Sequence, residues 1–296
     1  MPDALLRLSP QPQRATTVDS PASQIGRLAI RSLYREVALA PKPGLVTPWG
    51  NGSHSDMDYA IFLRSLQALR PYFPAIAACG SQQPDFVPLQ QLGIAAETAM
   101  LLATGGVNTH RGAIFNLGLL SAAAGWLLAE NEKPSASAVC QLVSCQWGDE
   151  IRSGLAGVSD DAALSHGLVV ARRYGAGGAR REAAAGFPAA IEVGLPAYRS
   201  ALAATGDAEL AATQALFALI AELEDTNLLW RGGPAGLAHA RQSAAAFLAT
   251  GGVLTADWLD QAARIENDFS ARHLSPGGSA DLLGVTLFLA ELDALP

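Results

Sequence analysis

Residues 112–129 carry no charged side chain. As a helix, these 18 residues would extend about 27 Å, nearly enough to cross a bilayer. The run is nevertheless rich in Gly, Ala and Ser, contains Asn116, and opens from a polar turn. A helix that is apolar on every side also suits the centre of a large helical domain, where other helices cover it completely. That placement is favoured over a membrane span, and it requires enough further helices to form a jacket. The chain has 296 residues, half of them hydrophobic, with Ala and Leu dominant and aromatics at only 6%. Few β-branched runs and little strict alternation favour packed helices over sheets. The expected fold is therefore all-α: a single large multi-helix globular domain with a buried central helix.

The turn that opens this run is Thr104-Gly105-Gly106-Val107-Asn108-Thr109-His110-Arg111. Such a turn exposes backbone N–H groups, and the helix behind it adds positive potential at its N-terminus. Arg111 supplies a planar, permanently charged fork. The stretch reads as a seat for a polyanionic small molecule. The alternative is a tight interhelical turn with Asn108 and His110 as caps.

Other polar segments interrupt the helical pattern. Residues 1–23, rich in Pro, Gln, Ser and Thr, read as a flexible N-terminal arm, and residues 24–296 as an all-helical catalytic domain. A helix from Gln24 should stop before Pro41, with Glu36 unfavourably placed on its last turn. A long loop follows, holding Lys42 between Pro41 and Pro43, then Gly44, His54, Asp56 and Asp58. Ser55 or Asp56 is the expected N-cap of a helix over residues 59–69. Pro71 and Pro74, then residues 79–88, read as an irregular connection before a helix over residues 89–103. Glu97 on that helix is either a surface residue or a paired site carboxylate, because an unpartnered carboxylate is expensive to bury.

Further helices are expected over residues 137–149, 160–174, 191–203, 208–223, 234–248 and 255–269. Glu224-Asp225-Thr226-Asn227 places acids at the end of an apolar helix, where a divalent cation would neutralise them; a polar C-terminal turn is the plain alternative. Ser275-Pro276-Gly277-Gly278-Ser279-Ala280-Asp281 repeats the logic of the first turn. Two such turns, Lys42 and several arginines suggest a ligand with several phosphates, and the acids Glu36, Glu97, Asp225 and Asp281 suggest magnesium. No G-x-x-x-x-G-K-[ST] or strand-borne G-x-G-x-x-G is present.

A formal charge of −7 argues against an extended nucleic-acid interface. Cys79, Cys140 and Cys145 form no C-x-x-C pair, and the first residues lack the basic start and apolar block of a secretory signal. A cytoplasmic location is therefore expected, with no membrane partner.

Five blocks in order, Pro41-Lys42-Pro43-Gly44-Leu45-Val46, Gly106-Val107-Asn108-Thr109-His110, Glu182 with Gly186-Phe187-Pro188, Asp225-Thr226-Asn227 and Ser275 to Asp281, resemble the triphosphoribosyl-dephospho-CoA synthase family. The resemblance covers the chain from about residue 25 to its end. Asn51-Gly52-Ser53-His54 is more similar to the malonate decarboxylase branch than to the citrate lyase branch. Relatives commonly carry Lys at the place of Arg111.

The resemblance implies transfer of the 5-triphosphoribosyl group of ATP to the 2′-hydroxyl of 3′-dephospho-CoA with release of adenine. The product would be the prosthetic-group precursor of an acyl-carrier subunit. It further implies binding roles for Lys42, Gly44, His54, Gly106, Asn108, Thr109, Arg111, Glu182, Asn227, Ser275, Gly277, Gly278 and Ser279. Asp225 and Asp281 are the expected magnesium ligands, Glu97 or Asp56 the base, and His110 the acid for adenine. A homodimer is compatible with this reading. Its rivals are the same reaction serving citrate lyase, a magnesium-dependent hydrolase of ADP-ribosyl N-glycosides, and a non-catalytic helical partner of an acyl-carrier protein.

Overall fold

In the computed structural model, residues 20–156 and 166–295 are described. In chain order the helices are α1 (Pro21–Ala38), α2 (Tyr59–Leu69), α3 (Tyr72–Gly80), α4 (Phe86–Thr104), α5 (Arg111–Ala129), α6 (Ala136–Ala156), α7 (His166–Tyr174) and α8 (Gly178–Ala184). They continue as α9 (Leu195–Thr205), α10 (Ala208–Glu222), α11 (Thr226–Ala249), α12 (Trp258–Ala271) and α13 (Gly277–Asp293). A π-helical turn, Ala189–Gly194, leads into α9, and a short 3-10 turn, Gly252–Leu254, precedes α12. Among the described residues there is no strand, only one isolated bridge between Thr47 and Gly50.

The uncharged run is α5, and thirteen of its nineteen residues are buried. Helices α1, α3, α4, α6 and α13 pack around it, which makes it the axis of the domain. The small residues that distinguish it from a lipid-facing helix set the distance to its neighbours. A Cβ added to Gly125 would lie 2.0 Å from Ala77 O, and one added to Gly80 would lie 2.0 Å from Ala122 O. Helices α3 and α5 therefore approach backbone to backbone at two levels. Gly26 of α1 meets the Pro74 ring of α3 in the same way. Helix α4 is also long and apolar enough to cross a membrane, but only about a sixth of it is buried.

Several boundaries differ from expectation. Helix α1 starts at Pro21, not Gln24, because Ser20 caps it by accepting from Ser23 N and proline is favourable in a first turn. Residues 1–19 of the expected arm and residues 160–165 of an expected helix lie outside the described residues. The N-cap of α2 is Asp58, which accepts from Ile61 N at 2.8 Å, and not Ser55 or Asp56. The segment expected to be irregular forms α3 and the start of α4. Pro74 and Pro88 each occupy the third position of a helix, where no intrahelical N–H is needed. Asp225 does not end α10; it caps α11, which kinks at Gly233 before Pro234.

The close α3–α5 contact leads to a stability prediction. Gly125→Ala should lower unfolding free energy by about 1–3 kcal/mol, because backbone cannot rotate out of the way. Thermal and urea unfolding check this, and an unchanged midpoint would contradict the backbone contact.

Candidate active site

The N-termini of α5, α11 and α13 and the loop before α2 line one cavity of about 1300 Å³. That exceeds the roughly 300–1,000 Å³ of a pocket for one drug-sized ligand, leaving room for two nucleotide-sized molecules. Its floor holds both glycine turns, and its wall includes α4, α6 and α8.

The first turn is closed through its backbone and open through its side chains. Gly105 and Gly106 have φ of 70° and 90°, and Gly106 N–H donates to Leu101 O at 2.7 Å. Asn108 Oδ1 accepts from Arg111 N at 3.1 Å, and Thr109 N–H points at Met100 Sδ, 3.4 Å away. Most of the N–H groups expected to hold an anion thus have internal partners. In contrast, Thr109 Oγ1, His110 Nε2, Arg111 Nε and, one helical turn and more into α5, Asn116 Oδ1 are buried without a hydrogen-bond partner. A buried unsatisfied polar atom costs about 1–3 kcal/mol, and these four belong to residues that line one cavity, so each calls for a partner that the fold itself does not supply.

Carboxylates of the protein itself occupy the two helix N-termini expected to seat phosphates. Asp281 lies against Gly112, where a Cβ would stand 2.0 Å from Asp281 Oδ2, and it accepts from Ala113 N–H. Burial, then the charges of Glu36 and Asp225, raise its carboxyl well above the usual carboxylate range. Asp225 Oδ1 accepts from Asn227 N (2.9 Å) and Leu228 N (3.3 Å), and its Oδ2 accepts from Ser279 N (2.7 Å) and Ser279 Oγ (2.9 Å). Four donors saturate this carboxylate, so Asp225 is a clamp between α11 and α13 and not a free metal ligand. Burial pushes it up, and these bonds pull it back only in part. Gly277 and Gly278 stand close against Asn227 and Asp225, where an added Cβ would lie 2.8 Å from Asn227 Nδ2 and 3.1 Å from the Asp225 carboxyl. Among the described residues, no group of three or more His, Cys, Asp or Glu is arranged to hold a metal ion.

Lys42 and Glu36 form a buried pair. Lys42 Nζ donates to Glu36 Oε1 and to Glu36 O, both at 2.7 Å. Two of the three ammonium protons are spent there, and one remains for a ligand. The acid that looked misplaced on the last turn of α1 is thus the partner of a buried cation. Gly44 (φ 70°) brings the loop onto α12's exit, where a Cβ would strike Leu274 O at 2.0 Å. Ser53 Oγ donates to the same Leu274 O at 2.5 Å. His54 Nε2 lies 2.9 Å from Ser275 Oγ, and His54 Nδ1 lies 3.1 Å from Arg231 Nη2. Guanidinium only donates, so Nδ1 accepts and Nε2–H donates to Ser275. Burial, then the Arg231 charge, lowers the His54 pKa, against a smaller upward pull from Asp56. Asp56 is exposed at the cavity mouth, 3.7 Å from His54 Nδ1.

His110 is unsuited to the acid role expected of it. It is buried, with Nδ1 2.7 Å from Ser65 Oγ and its ring edge-on to Phe62. Burial, then the Lys42 charge, lowers its pKa to about 3, so it is neutral at physiological pH and does not supply an imidazolium acid for adenine. Glu97 is ion-paired with Arg111. Glu182 accepts from Ala189 N at 3.1 Å, and burial, outweighing that bond, raises its pKa, with Glu192 adding to the rise. Arg231, one turn after Asn227 on α11, was not among the expected site residues. It also donates to Ser53 O at 3.0 Å, tying α11 to the loop. Its spacing from Asn227 was the available signal.

These elements define an all-helical protein whose helix N-termini converge on one large, polar-floored cavity. The family model described as ATP:dephospho-CoA triphosphoribosyl transferase matches residues 22–296, and the chain belongs to that family. It is accordingly an enzyme, a transferase. A protein from Acinetobacter calcoaceticus described as a probable 2-(5''-triphosphoribosyl)-3'-dephosphocoenzyme-A synthase is 44% identical over 272 residues, 92% of each chain. The 2-(5''-triphosphoribosyl)-3'-dephosphocoenzyme-A synthases of Pectobacterium atrosepticum and Klebsiella pneumoniae are 44% and 41% identical, over 90% and 92% of this chain and 88% and 92% of theirs. No solved structure matches the chain.

Two outcomes test the electrostatics. Arg231→Ala should raise the His54 pKa towards the ordinary histidine value, since a lowering charge is removed; NMR titration of its ring protons reads this. Folded His110 stays neutral down to about pH 3, whereas the unfolded side chain titrates near 6.5. Its contribution to stability is complete above pH 6.5 and is lost as pH falls towards 3. Between pH 7 and 5 the loss should be about 2 kcal/mol, and His110→Asn should flatten that slope in urea melts.

Proposed function

We propose that this chain transfers the 5-triphosphoribosyl group of ATP to the 2′-hydroxyl of 3′-dephospho-CoA and releases adenine. The observation that carries this reading is the succession of unpartnered buried atoms at Thr109, His110, Arg111 and Asn116 along a cavity roomy enough for two nucleotides. Family membership and the printed activities of the relatives supply the reaction. The acceptor O2′ attacks C1′ of the ribose as the C1′–N9 bond breaks, with inversion. The bonding pair leaves on adenine N9, which takes a proton from water, and the hydroxyl proton passes to a carboxylate and from there back to solvent.

In this reading Arg111, Thr109 and the third proton of Lys42 hold the triphosphate. Glu97 keeps Arg111 in place or, once a phosphate takes over Arg111, accepts the hydroxyl proton. Asp56, at the mouth beside His54, is the second candidate base. His110 serves as a neutral hydrogen-bonding group. The Ser275 to Ser279 turn acts as a frame, with Ser275 holding His54 and Ser279 holding Asp225. Glu182 lines the wall near a ribose hydroxyl, and Asn227 offers its amide.

Magnesium enters this reading with the triphosphate, as it typically takes one or two carboxylates together with substrate phosphates. Asp225 does not fit because its acceptors are full. Asp281 fits: it faces the cavity, and neighbouring Glu36 and Asp225 surround it with negative charge that a cation would offset. Bound there, the ion would neutralise phosphate charge. The product's use for the acyl-carrier subunit of malonate decarboxylase, and not of citrate lyase, is supported by the Asn51-Gly52-Ser53-His54 loop. A cytoplasmic location without a membrane or nucleic-acid partner belongs to the same proposal, supported by the unpaired Cys79, Cys140 and Cys145. A homodimer is compatible with it.

Incubation with ATP and dephospho-CoA should release adenine and leave a triphosphorylated product, both read by chromatography. Release of ADP or pyrophosphate, or of adenine without an acceptor, would overturn the proposal. Glu97→Gln and Asp56→Asn should separate the bases: the true one loses about 10²-fold or more in kcat. Near-normal turnover in both removes both. Asp281→Asn should raise the magnesium concentration needed for half-maximal rate.

A further inference from the structure

Asn116 is a cavity residue to which the reading above gives no individual role. It lies 1% exposed in the middle of an apolar helix, lines the cavity, and its Oδ1 has no hydrogen-bond donor. It follows Gly112 by four residues, so helical spacing puts it on the same face of α5, one turn deeper than the Asp281 contact. The same cavity is also lined by the apolar side chains Phe86, Leu89, Phe115, Leu119 and Ile151. The fold gains nothing from an amide there: a leucine of similar size would avoid the unsatisfied oxygen.

An unpartnered acceptor in a cavity that also presents apolar side chains suits a flat, apolar ligand with an N–H donor at its edge. Adenine has this form: apolar ring faces and an exocyclic amine. Asparagine is among the side chains suited to its edge. The order along α5 also matches a nucleotide, with open donors at Thr109 and Arg111, Gly112 and Asp281 next, and Asn116 deepest.

We propose that Asn116 reads the base of the ribosyl donor, its Oδ1 accepting a hydrogen bond from the exocyclic amine of adenine while the apolar side chains hold the ring. This rests on the ribosyl-transfer reading. Asn116 is a specificity-determining residue that holds the leaving base in one orientation.

The test compares ATP with purine riboside 5′-triphosphate, which carries hydrogen in place of the amine, by kcat/KM for release of the free base with dephospho-CoA present. Wild type should prefer ATP by about tenfold or more. Asn116→Leu should bring the two donors within about twofold by slowing ATP alone, with a thermal midpoint at or above wild type. A variant that keeps the wild-type preference, or a wild type indifferent to the amine, overturns the assignment. The second comparison needs no variant to fold. A wild type that releases no base from ATP overturns the ribosyl-transfer reading and this proposal with it.

Discussion

The site depends on how three helix N-termini are brought to one place without a ligand. Each N-terminus carries partial positive charge and unsatisfied N–H groups, so bringing them together is unfavourable unless something negative stands between them. The protein supplies its own carboxylates. Asp225 takes two N–H groups from α11 and one from α13, with the Ser279 hydroxyl as a fourth donor. Asp281 reaches from α13 to the start of α5, which only a glycine at position 112 permits. Asp225 and Asp281 thus join the helices, whatever else they bind.

Those links leave a charge imbalance that the rest of the site resolves. Glu36, Asp225 and Asp281 crowd together, and the Lys42 ammonium is buried among them with two of its protons on Glu36. The same cation helps keep His110 neutral. At the cavity mouth Arg231 performs an analogous task, fixing the His54 tautomer and the loop that carries it. With the backbone donors satisfied internally, recognition falls to the side chains of Thr109, His110, Arg111 and Asn116. Among the described residues these four, with Ser121 on α5, hold the buried side-chain atoms left without partners.

Much of this was legible one element at a time. Helical spacing and proline positions identified α2, α5 and α10 closely, because local propensity and tertiary packing agree there. Helix α3 was missed because two prolines read as breakers when they sit in first turns, where no donor is lost. Glu36 was noticed as misplaced, but its partner Lys42 could be seen only once the loop folded back over α1. Arg231 is not among the expected site residues because its target, His54, lies 177 residues away in sequence.

The sequence by itself determined an all-helical domain around an uncharged axis, and its ordered motifs determined the family. Both are written in short-range patterns: 3.6-residue periodicity, small-residue runs and short polar turns. Tertiary structure alone decided that Asp225 is a cap and that Glu36 and Glu97 are each half of an ion pair. It also decided that His110 is neutral and that Asn116 faces the cavity. Those properties depend on which charges and donors lie within a few ångströms, and here such neighbours come from helices far apart along the chain.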